Sequence, residues 1–534
     1  MSRMLHAVLT GWFACVALSA QAPGLRLFGP TGPNETQLVD GQGQIVHSWP
    51  GATSPTVYLL EDGSLLRGTV APGTGIPGST GRLEKRAFDG SLTWDYLVTN
   101  SSWFMHHDIE PMPNGNVLVI VWDNMVAADA VAAGRDPALL MGNAWYPDAL
   151  VEIQPTGPTT GTVVWEWHIM DHVIQDQDAS KANFGVIANH PELLNINYPQ
   201  TVLSNGDWNH SNGIDYDPAN DWIVLSSREQ GEIYLIDHST TTAEAAGHTG
   251  GARGKGGDLL WRWGNPQVYG GGSFLDRRLT GAHDTRFIRP GIAGAGNITV
   301  FNNRYLPTQS AVIEIEVPLD AAGDPFVDPA TGRFGPVAPL WQYTAAGFFS
   351  QFVSSAQRLE DGNTLICSGT QQWLFEVTPQ GQIVWQYTWP VNNFIFQAHE
   401  IDRRMWNDAS ELSVAGGQVQ LDHLSDTENA GKPYIVFGSI TGTTPGALLP
   451  GGVLLPLNID ALTTITATSY NTPLLVNTFG TFDALGNAAS SIVLPGGLLP
   501  PELAGLQLSF AHVVLDGTGL ALDASNVCTV TLTQ

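Results

Sequence analysis

Histidines stand at the same place in a recurring sequence pattern. Each begins a phrase made of a short apolar stretch, a turn and a second apolar stretch. These histidines are His107, His210, His283 and His399, and Gln357 holds the equivalent place in one further phrase. Imidazoles that meet in a confined site are suited to proton transfer or to stabilising a charged oxyanion. The pattern therefore predicts a shared histidine site.

Two other interpretations of these histidines stay open at this point. A histidine at the start of a strand can instead bind the backbone of its neighbour, and the adjacent carboxylates can orient the rings or face solvent. Converging histidines also bind zinc or copper. No His-x-His or paired cysteine motif supports a metal here, so no metal and no cofactor is predicted.

A tryptophan phrase that recurs six times indicates how these histidines are positioned. Most copies follow a glycine-bearing turn, as in Asp89-Gly90-Ser91-Leu92-Thr93-Trp94. The six tryptophans are Trp49, Trp94, Trp165, Trp261, Trp341 and Trp385. A turn and strand repeated at intervals of tens of residues is typical of a radial β array. We predict an all-β chain with a six-bladed β-propeller, whose innermost strands line a central channel and bring the histidines together.

Changes in amino-acid composition divide the chain into three parts. Residues 1–22 combine Arg3, an apolar run and Ala20-Gln21-Ala22, which is typical of a secretion signal. Residues 23–410 hold the repeats. Residues 418–534 lack tryptophan and contain a single basic residue, Lys432. This last part is predicted to be a small C-terminal β-sandwich-like accessory domain.

Composition limits the possible partners and location. With 22 basic and 50 acidic residues the net charge is -28, which argues against nucleic-acid binding. No later apolar stretch approaches the ~20 residues needed to span a membrane. We therefore expect an exported, periplasmic or extracellular protein. Cys367 and Cys528 fall in different predicted domains and are expected to be buried free thiols.

Long inserts interrupt the repeats and are expected to form the rim of one mouth of the channel. Residues 126–135 and 171–188 are predicted to form short helices. The glycine-dense segment 247–257 is predicted to be a mobile surface loop.

Five segments carry a resemblance to a known family. They are Asp207-Trp208-Asn209-His210-Ser211-Asn212-Gly213-Ile214-Asp215-Tyr216-Asp217, Trp222-Ile223-Val224-Leu225-Ser226-Ser227-Arg228, Gly281-Ala282-His283-Asp284-Thr285, Val300-Phe301-Asn302-Asn303-Arg304 and Asp361-Gly362-Asn363-Thr364-Leu365-Ile366-Cys367. These segments resemble the bacterial arylsulfotransferases that use aryl sulfates directly as donors, and the similarity covers most of residues 40 to 405. The resemblance implies a six-bladed propeller. It also implies transfer of a sulfuryl group from an aryl sulfate to a phenol through a sulfated histidine.

The resemblance also implies roles for individual residues. His210, His283 and Arg304 match family residues that hold the sulfuryl oxygens or handle the phenol proton, and Arg228 is predicted to contact substrate. Gln371 and Gln372 stand where the family has its nucleophilic histidine, and they too are assigned to substrate binding. Either His399 or His107 replaces that nucleophile, or the chain has lost double-displacement chemistry.

Two other functions remain open from the sequence. A propeller without the nucleophile can be a non-catalytic module that binds a sulfated or phenolic ligand, a protein or a glycan. The glycine-x-x-x-tryptophan turns also resemble blades of quinoprotein dehydrogenases, which need a flat cofactor pocket and calcium. That alternative leaves the segment around His210 unexplained.

Overall fold

The computed structural model describes residues 24–32, 35–51, 55–71, 75–199 and 206–534. The predicted signal segment, 1–22, lies outside the described residues. β-Strands dominate the described chain, and most of them belong to four-stranded antiparallel sheets. The all-β prediction is therefore confirmed.

Six four-stranded antiparallel sheets are built from the part of the chain that the structure describes up to residue 401. Sheet 1 contains Ile45–Pro50, Glu35–Val39, Leu25–Pro30 and Ile395–Ile401. Sheet 2 contains Thr56–Leu59, Leu65–Val70, Gly81–Arg86 and Leu92–Leu97, and sheet 3 contains Trp103–Pro111, Val117–Asp123, Asp148–Gly157 and Thr160–His168. Sheet 4 contains Ser211–Asp217, Trp222–Ser227, Glu232–Asp237 and Trp261–Trp263. Sheet 5 contains Ala282–Phe287, Ile298–Leu306, Gln309–Ile315 and Trp341–Tyr343, and sheet 6 contains Ser355–Arg358, Thr364–Ser368, Trp373–Val377 and Ile383–Thr388.

The six sheets form a closed cycle. Strand Ile395–Ile401, late in the chain, pairs antiparallel with Leu25–Pro30 and so completes sheet 1. One edge strand of each sheet contacts the equivalent strand of the next sheet, from sheet 1 through sheet 6 and back to sheet 1. Sheets that share an axis in this way are consistent with a β-propeller.

The repeated tryptophans hold neighbouring sheets together. Each lies on the outermost strand of its sheet, and its indole N–H donates a hydrogen bond to a strand of the following sheet or to a segment that connects the strands of that sheet. The donor–acceptor pairs are Trp49 to Ala87, Trp94 to Thr160, Trp165 to Thr240, Trp261 to Gly335, Trp341 to Pro379 and Trp385 to Gly41, at 2.7 to 3.2 Å. The last pair joins sheet 6 to sheet 1. The repeat therefore links each sheet to the next around the cycle.

Two larger sheets and the two-stranded sheet of Ala447–Leu448 and Leu454–Leu455 follow residue 404. Sheet 7 contains Met405–Asn407, Gly417–Leu424, Asn487–Leu494 and Leu475–Val476. Sheet 8 contains Glu411–Ser413, Cys528–Thr533, Gln507–Leu515, Pro433–Ser439 and Phe479–Thr481, with Ala521–Ala524 paired to Gln507–Leu515. Side chains of both sheets, including Val419, Leu421, Val436 and Phe510, share one buried hydrophobic cluster. Cys367 and Cys528 are both buried free thiols, as expected.

Helices are short and few among the described residues. They are α1 (Ala127–Ala132), α2 (Thr242–Ala245) and α3 (Ala461–Thr468). Helix α1 confirms the helix predicted within 126–135. The helix predicted over 171–188 is wrong, because this segment contains the end of a 3-10 turn (Ile169–His172), a short strand (Val173–Ile174) and a second 3-10 turn (Ile187–Asn189) that begins in it. Between them the side chain of Gln175 accepts hydrogen bonds from the main-chain N–H groups of Gln177 and Asp178, which competes with helix formation.

Within the described ranges, the helices all fall short of the length and apolar character that a membrane crossing requires.

A buried arginine crosses the closure of the cycle. Arg26, on the first strand of sheet 1, is fully buried. Its Nη2 lies 2.8 Å from Oε2 of Glu376 in sheet 6 and 3.4 Å from Oε1 of Glu400 on the closing strand. Its guanidinium also lies 4.4 Å from the ring centroid of Trp385. One cation therefore joins the first strand to the last sheet.

Replacing Arg26 by alanine should lower the free energy of unfolding by about 3–5 kcal/mol, because it leaves buried carboxylates without their cation. Urea denaturation measures the change. The control is Arg403→Ala, which removes the partly exposed cation of the Arg403–Glu61 pair (3.3 Å) and should cost less than about 1 kcal/mol. Equal costs for the two variants would contradict this role for Arg26.

Candidate functional site

A cavity of about 470 Å³ opens at one end of the axis that the six sheets surround. Every sheet contributes to its wall. The lining residues are Thr31, Phe394 and Phe396 from sheet 1; Pro55, Pro77 and Gly78 from sheet 2; His107 from sheet 3; His210 and Arg228 from sheet 4; His283 from sheet 5; and Phe352 and Val353 from sheet 6. This volume lies within the usual range for small-molecule sites. Three of the four predicted histidines are thus brought together.

Irregular backbone marks these histidines. The strand pairing of sheets 3, 4 and 5 shifts register close to His107, His210 and His283. His107 and His210 have φ angles of 51° and 53°, and Asp284, directly after His283, has 47°. Positive φ is uncommon for residues other than glycine, and β-bulges redirect side chains. The three inner strands therefore depart from regular geometry where their imidazoles enter the cavity.

His210 is held by a carboxylate. Its Nδ1 lies 2.5 Å from Oδ2 of Asp207, which is fully buried. The indole N–H of Trp122 donates to the other carboxylate oxygen at 3.0 Å. The contact with this carboxylate fixes the orientation of the His210 ring. His210 therefore presents its Nε2 edge to the cavity.

His283 is held by neutral acceptors. Its Nδ1 lies 2.7 Å from Oδ1 of Asn303 and 3.1 Å from the carbonyl of Gly281. The amide nitrogen of Asn303 donates to two main-chain carbonyls, which fixes the orientation of the amide. Nδ1 therefore carries the proton and Nε2 keeps its lone pair. Burial, followed by the charges of Arg228 and His210, lowers the pKa of His283 to about 3, so the ring is neutral at neutral pH.

His107 is held through a second histidine. Its Nδ1 lies 2.8 Å from Nδ1 of His106, whose Nε2 lies 3.4 Å from Oδ1 of the buried Asp148. His106 itself stacks on Trp122, with ring centroids 3.8 Å apart. Burial, followed by the charges of His210 and the neighbouring histidines, lowers the pKa of His107 well below its usual range. His107 is therefore neutral, and its Nε2 has no hydrogen-bond partner among the described residues.

The cavity combines these nitrogens with one cation and several aromatic rings. The His107 and His210 ring centroids are 4.4 Å apart. Phe396 lies 6.0 Å from the His107 ring and 6.3 Å from the His283 ring. Arg228 pairs with the buried carboxylate of Glu229. A ligand with an aromatic body and a small anionic group matches this wall.

The fourth predicted histidine, His399, is not in the cavity. It contacts Arg286, whose Nη1 lies 2.9 Å from its Nδ1, and its ring centroid lies 4.7 Å from that of Tyr58. On the strand Ile395–Ile401 it is Phe396 that reaches the cavity, and three further residues advance the chain by about 10 Å. The matched residue types around His107 and His399 thus suggested a shared register that the strands do not have.

His399 belongs instead to a second buried polar layer farther along the axis. Arg286 also binds Asp284, with Nε 2.7 Å from Oδ1, and the Tyr58 hydroxyl lies 3.3 Å from Oδ1 of Asp108. Burial raises the pKa of Asp108 to about 7, against the opposing charge of Arg286. Burial, followed by the charge of Arg286, lowers the pKa of His399 well below its usual range. This polar layer packs against the cavity wall on the side farther along the axis.

Three further predicted residues lie elsewhere. Arg304 is exposed, because the strand Ile298–Leu306 has left the core there and continues into an exposed hairpin turn. The side-chain amide of Gln371 accepts a hydrogen bond from the main-chain N–H of Phe349 and donates one to the carbonyl of Gly347. The side-chain amide of Gln372 donates to the carbonyl of Thr370. Gln371 thus ties its turn to the segment 347–349, Gln372 binds within the turn, and neither lines the cavity. Arg304 does not line the cavity with the histidines, whereas Arg228 does.

Several lining residues had no sequence signal. Phe352, Phe394 and Phe396 lie in ordinary apolar segments, and Gly78 lies in a turn. The contacts that hold His107 through His106 and His283 through Asn303 join residues that share no sequence motif. Among the contacts that hold the histidines, only the one between Asp207 and His210 had a signal in the sequence, because both residues lie in the same motif segment.

The arylsulfotransferase (ASST) family model matches residues 33–310, which is more than half of the chain. The chain belongs to the arylsulfotransferase family. The resemblance drawn from the sequence is thereby confirmed. The match includes His107, His210, Arg228 and His283, whereas Gln371, Gln372 and His399 lie beyond it. A comparison with curated proteins gave no match.

Solved structures offer distant similarities to this arylsulfotransferase family member. A protein of unknown function from Bacteroides caccae is 14% identical, with a TM-score of 0.39, covering 71% of this chain and 98% of that one. The periplasmic gluconolactonase of Pseudomonas aeruginosa is 12% identical, with a TM-score of 0.35, covering 71% and 99%. Hydrazine synthase of Kuenenia stuttgartiensis is 13% identical, with a TM-score of 0.32, covering 55% and 68%. Because these TM-scores are low, the description of the fold rests on the sheets above.

A glycine in the cavity wall offers a test of how this arylsulfotransferase family site is shaped. In Gly78→Ala the new methyl group would lie 2.0 Å from Cε1 of His107, whereas in Gly75→Ala it would meet nothing within 4 Å. Both glycines have positive φ, so both variants carry similar backbone strain. We expect the ¹⁵N signals of the His107 and His210 rings to move in Gly78→Ala and to stay in Gly75→Ala. Unmoved signals in Gly78→Ala would contradict the packing described here.

Proposed function

We propose that this chain is an exported enzyme that transfers a sulfuryl group from an aryl sulfate to a phenol, without 3′-phosphoadenylyl sulfate, in the axial cavity. The observation that carries the proposal is that three imidazoles from three different sheets share one aromatic-lined cavity with Arg228. Membership in the arylsulfotransferase family supports the substrate class. Export follows from the signal pattern of residues 1–22.

The proposed scaffold is a six-bladed β-propeller with a small C-terminal sandwich. Six sheets in cyclic contact, with a closing strand from late in the chain, support six blades. The hydrophobic cluster shared by sheets 7 and 8 supports the sandwich. In this scaffold each blade places one or more residues at the axis, which concentrates chemistry from distant parts of the sequence.

The aryl sulfate is proposed to bind with its ring among Phe352, Phe394 and Phe396 and its sulfate against Arg228. A chain of net charge -28 repels anions at long range. A local cation in a cavity with a low dielectric constant overcomes that repulsion over a few ångströms. His210, whose Nδ1 is held by the Asp207 carboxylate, is proposed to contact a sulfuryl oxygen through its Nε2 edge.

His107 is the proposed nucleophile. Its Nε2 lone pair attacks sulfur, the N–S bond forms, and the bond between sulfur and the aryl oxygen breaks with departure of the phenolate. The ring gains positive charge in this step. The buried carboxylate of Asp148, which lies 3.4 Å from His106, stabilises that charge electrostatically, and the contact between His106 and His107 at 2.8 Å holds the ring in place.

The second half of the reaction returns the enzyme to its starting state. The acceptor phenol gives its proton to Nε2 of His283, which the contacts with Asn303 and Gly281 keep as a lone pair. The phenol oxygen attacks sulfur, the N–S bond to His107 breaks, and His283 then releases the proton to water, which restores its neutral ring. Arg228 and His210 hold the sulfuryl oxygens in both steps.

The test uses 4-nitrophenyl sulfate as donor and phenol as acceptor. We expect phenol-dependent release of 4-nitrophenol, a loss of more than about 10³-fold in kcat for His107→Asn, and a loss of about 10²- to 10³-fold for His283→Asn. The control is His190→Asn, which changes a partly exposed histidine paired with Glu192 and should leave activity unchanged.

Two outcomes would overturn parts of the proposal. Full activity in His107→Asn, or radioactive sulfate trapped on a different histidine, would remove His107 as the nucleophile. A protein that binds 4-nitrophenyl sulfate but never releases 4-nitrophenol would be the non-catalytic binding module, which the glutamines at positions 371 and 372 favour.

A further inference from the structure

A second group of ionisable residues lies away from the axial cavity and takes no part in the proposed reaction. His172 lies in the insert after sheet 3, and His248 and Asp258 lie in and directly after the glycine-rich loop 247–257. Nδ1 of His172 and Nδ1 of His248 lie 2.8 and 2.7 Å from the same oxygen, Oδ1 of Asp258. The candidate ligand atoms of the three residues all lie within 4.8 Å of one another.

The hydrogen bond on the far side of His172 defines its protonation. Its Nε2 lies 2.8 Å from the carbonyl oxygen of Ala245, and because a carbonyl only accepts, Nε2 carries the proton. In the neutral ring, Nδ1 then directs a lone pair at a carboxylate oxygen. That contact is favourable only if a positive centre, either a metal ion or a second proton, lies between the two atoms. An N–H donated to a backbone carbonyl is also the usual outer contact of a metal-binding histidine.

The surroundings favour a metal ion with an open coordination position. The His172 side chain is fully buried and the Asp258 side chain is 10% exposed, whereas the His248 side chain is 60% exposed. Two imidazoles and one carboxylate are a ligand set that Zn²⁺ and similar first-row ions prefer. Ca²⁺ and Mg²⁺ prefer oxygen ligands throughout. Water would complete the coordination from the side of His248.

We propose that His172, His248 and Asp258 bind one divalent transition-metal ion of the Zn²⁺ class, which fastens the glycine-rich loop to the insert after sheet 3. Both ends of the loop supply a ligand, whereas the insert supplies His172. Glycine chains lose more conformational freedom on ordering than others, so an ion that ties both ends has a large effect on the loop. The site does not depend on the proposed sulfuryl transfer.

Packing at the end of the loop fits this role. A methyl group on Gly257 would lie 2.6 Å from Nε2 of His172 and 2.0 Å from the Ala245 carbonyl. The indole N–H of Trp167 donates to the Gly257 carbonyl at 2.8 Å. The Trp167 and His172 rings are parallel to within 5°, with centroids 5.5 Å apart. Gly257, Ala245 and Trp167 thus pack closely around the His172 ring in the buried half of the site.

The experiment uses the untagged full chain after dialysis against EDTA. Titration with Zn²⁺ in a calorimeter should show one site per chain, and His248→Gln should weaken that site at least about tenfold. Zn²⁺ should also slow tryptic cleavage after Lys255, an exposed residue of the loop, in the wild type but not in His248→Gln. His190→Gln is the matched control, because His190 is a comparably exposed histidine paired with a carboxylate.

His248→Gln is the main variant because the substituted side chain is largely exposed and the fold does not depend on it. Asp258→Asn is a second variant that keeps the shape of the carboxylate. The proposal is overturned if the wild type binds no Zn²⁺, or if His248→Gln binds it as tightly and is protected as well as the wild type. The three residues would then form a hydrogen-bonded imidazolium–carboxylate group. No aryl sulfate enters this test, so its failure and the failure of sulfuryl transfer are separate results.

Discussion

Linkage between neighbouring sheets is the interaction on which the rest of this structure depends. Six indole N–H groups each donate to the following sheet, and the last one, from Trp385 to Gly41, returns to the first. The closing strand and Arg26 act at the same boundary. A single hydrogen bond contributes only about 1 kcal/mol. A closed cycle makes each bond depend on the others, because opening one boundary frees the ends of the whole array.

The chemistry of the cavity follows from that closure. Residues more than 170 positions apart, such as His107 and His283, face the same space only because their sheets share an axis. Each imidazole is held on Nδ1 by a different partner, namely a carboxylate, an amide and a second histidine. These partners place three rings of one residue type in different hydrogen-bonding environments. An enzyme needs such differences to divide attack, proton transfer and charge stabilisation among similar groups.

Much of the fold could be predicted from the sequence, and only part of the site. The tryptophan phrases mark the outer strands because turn, strand and indole recur together. The inner strands lack such a marker, so the register of His399 could not be predicted from the sequence. On that strand Phe396, and not His399, lines the cavity. The position of Arg304 could not be predicted for a related reason. A strand pattern in the sequence does not show where the strand leaves the core. The group of His172 and Asp258 joins residues 86 positions apart, and only the folded chain brings them together.

We propose a single aryl-sulfate site where the histidine-bearing strands converge. A crystal structure with an aryl sulfonate tests this site most directly, because this analogue keeps the three sulfur-bound oxygens while its C–S bond resists attack by histidine. We expect the ring among the phenylalanines, the sulfonate on Arg228 and His210, and the His107 Nε2 about 3–3.5 Å from sulfur. A sulfonate bound outside the cavity, or bound inside it with its oxygens turned away from the histidines, would contradict the account.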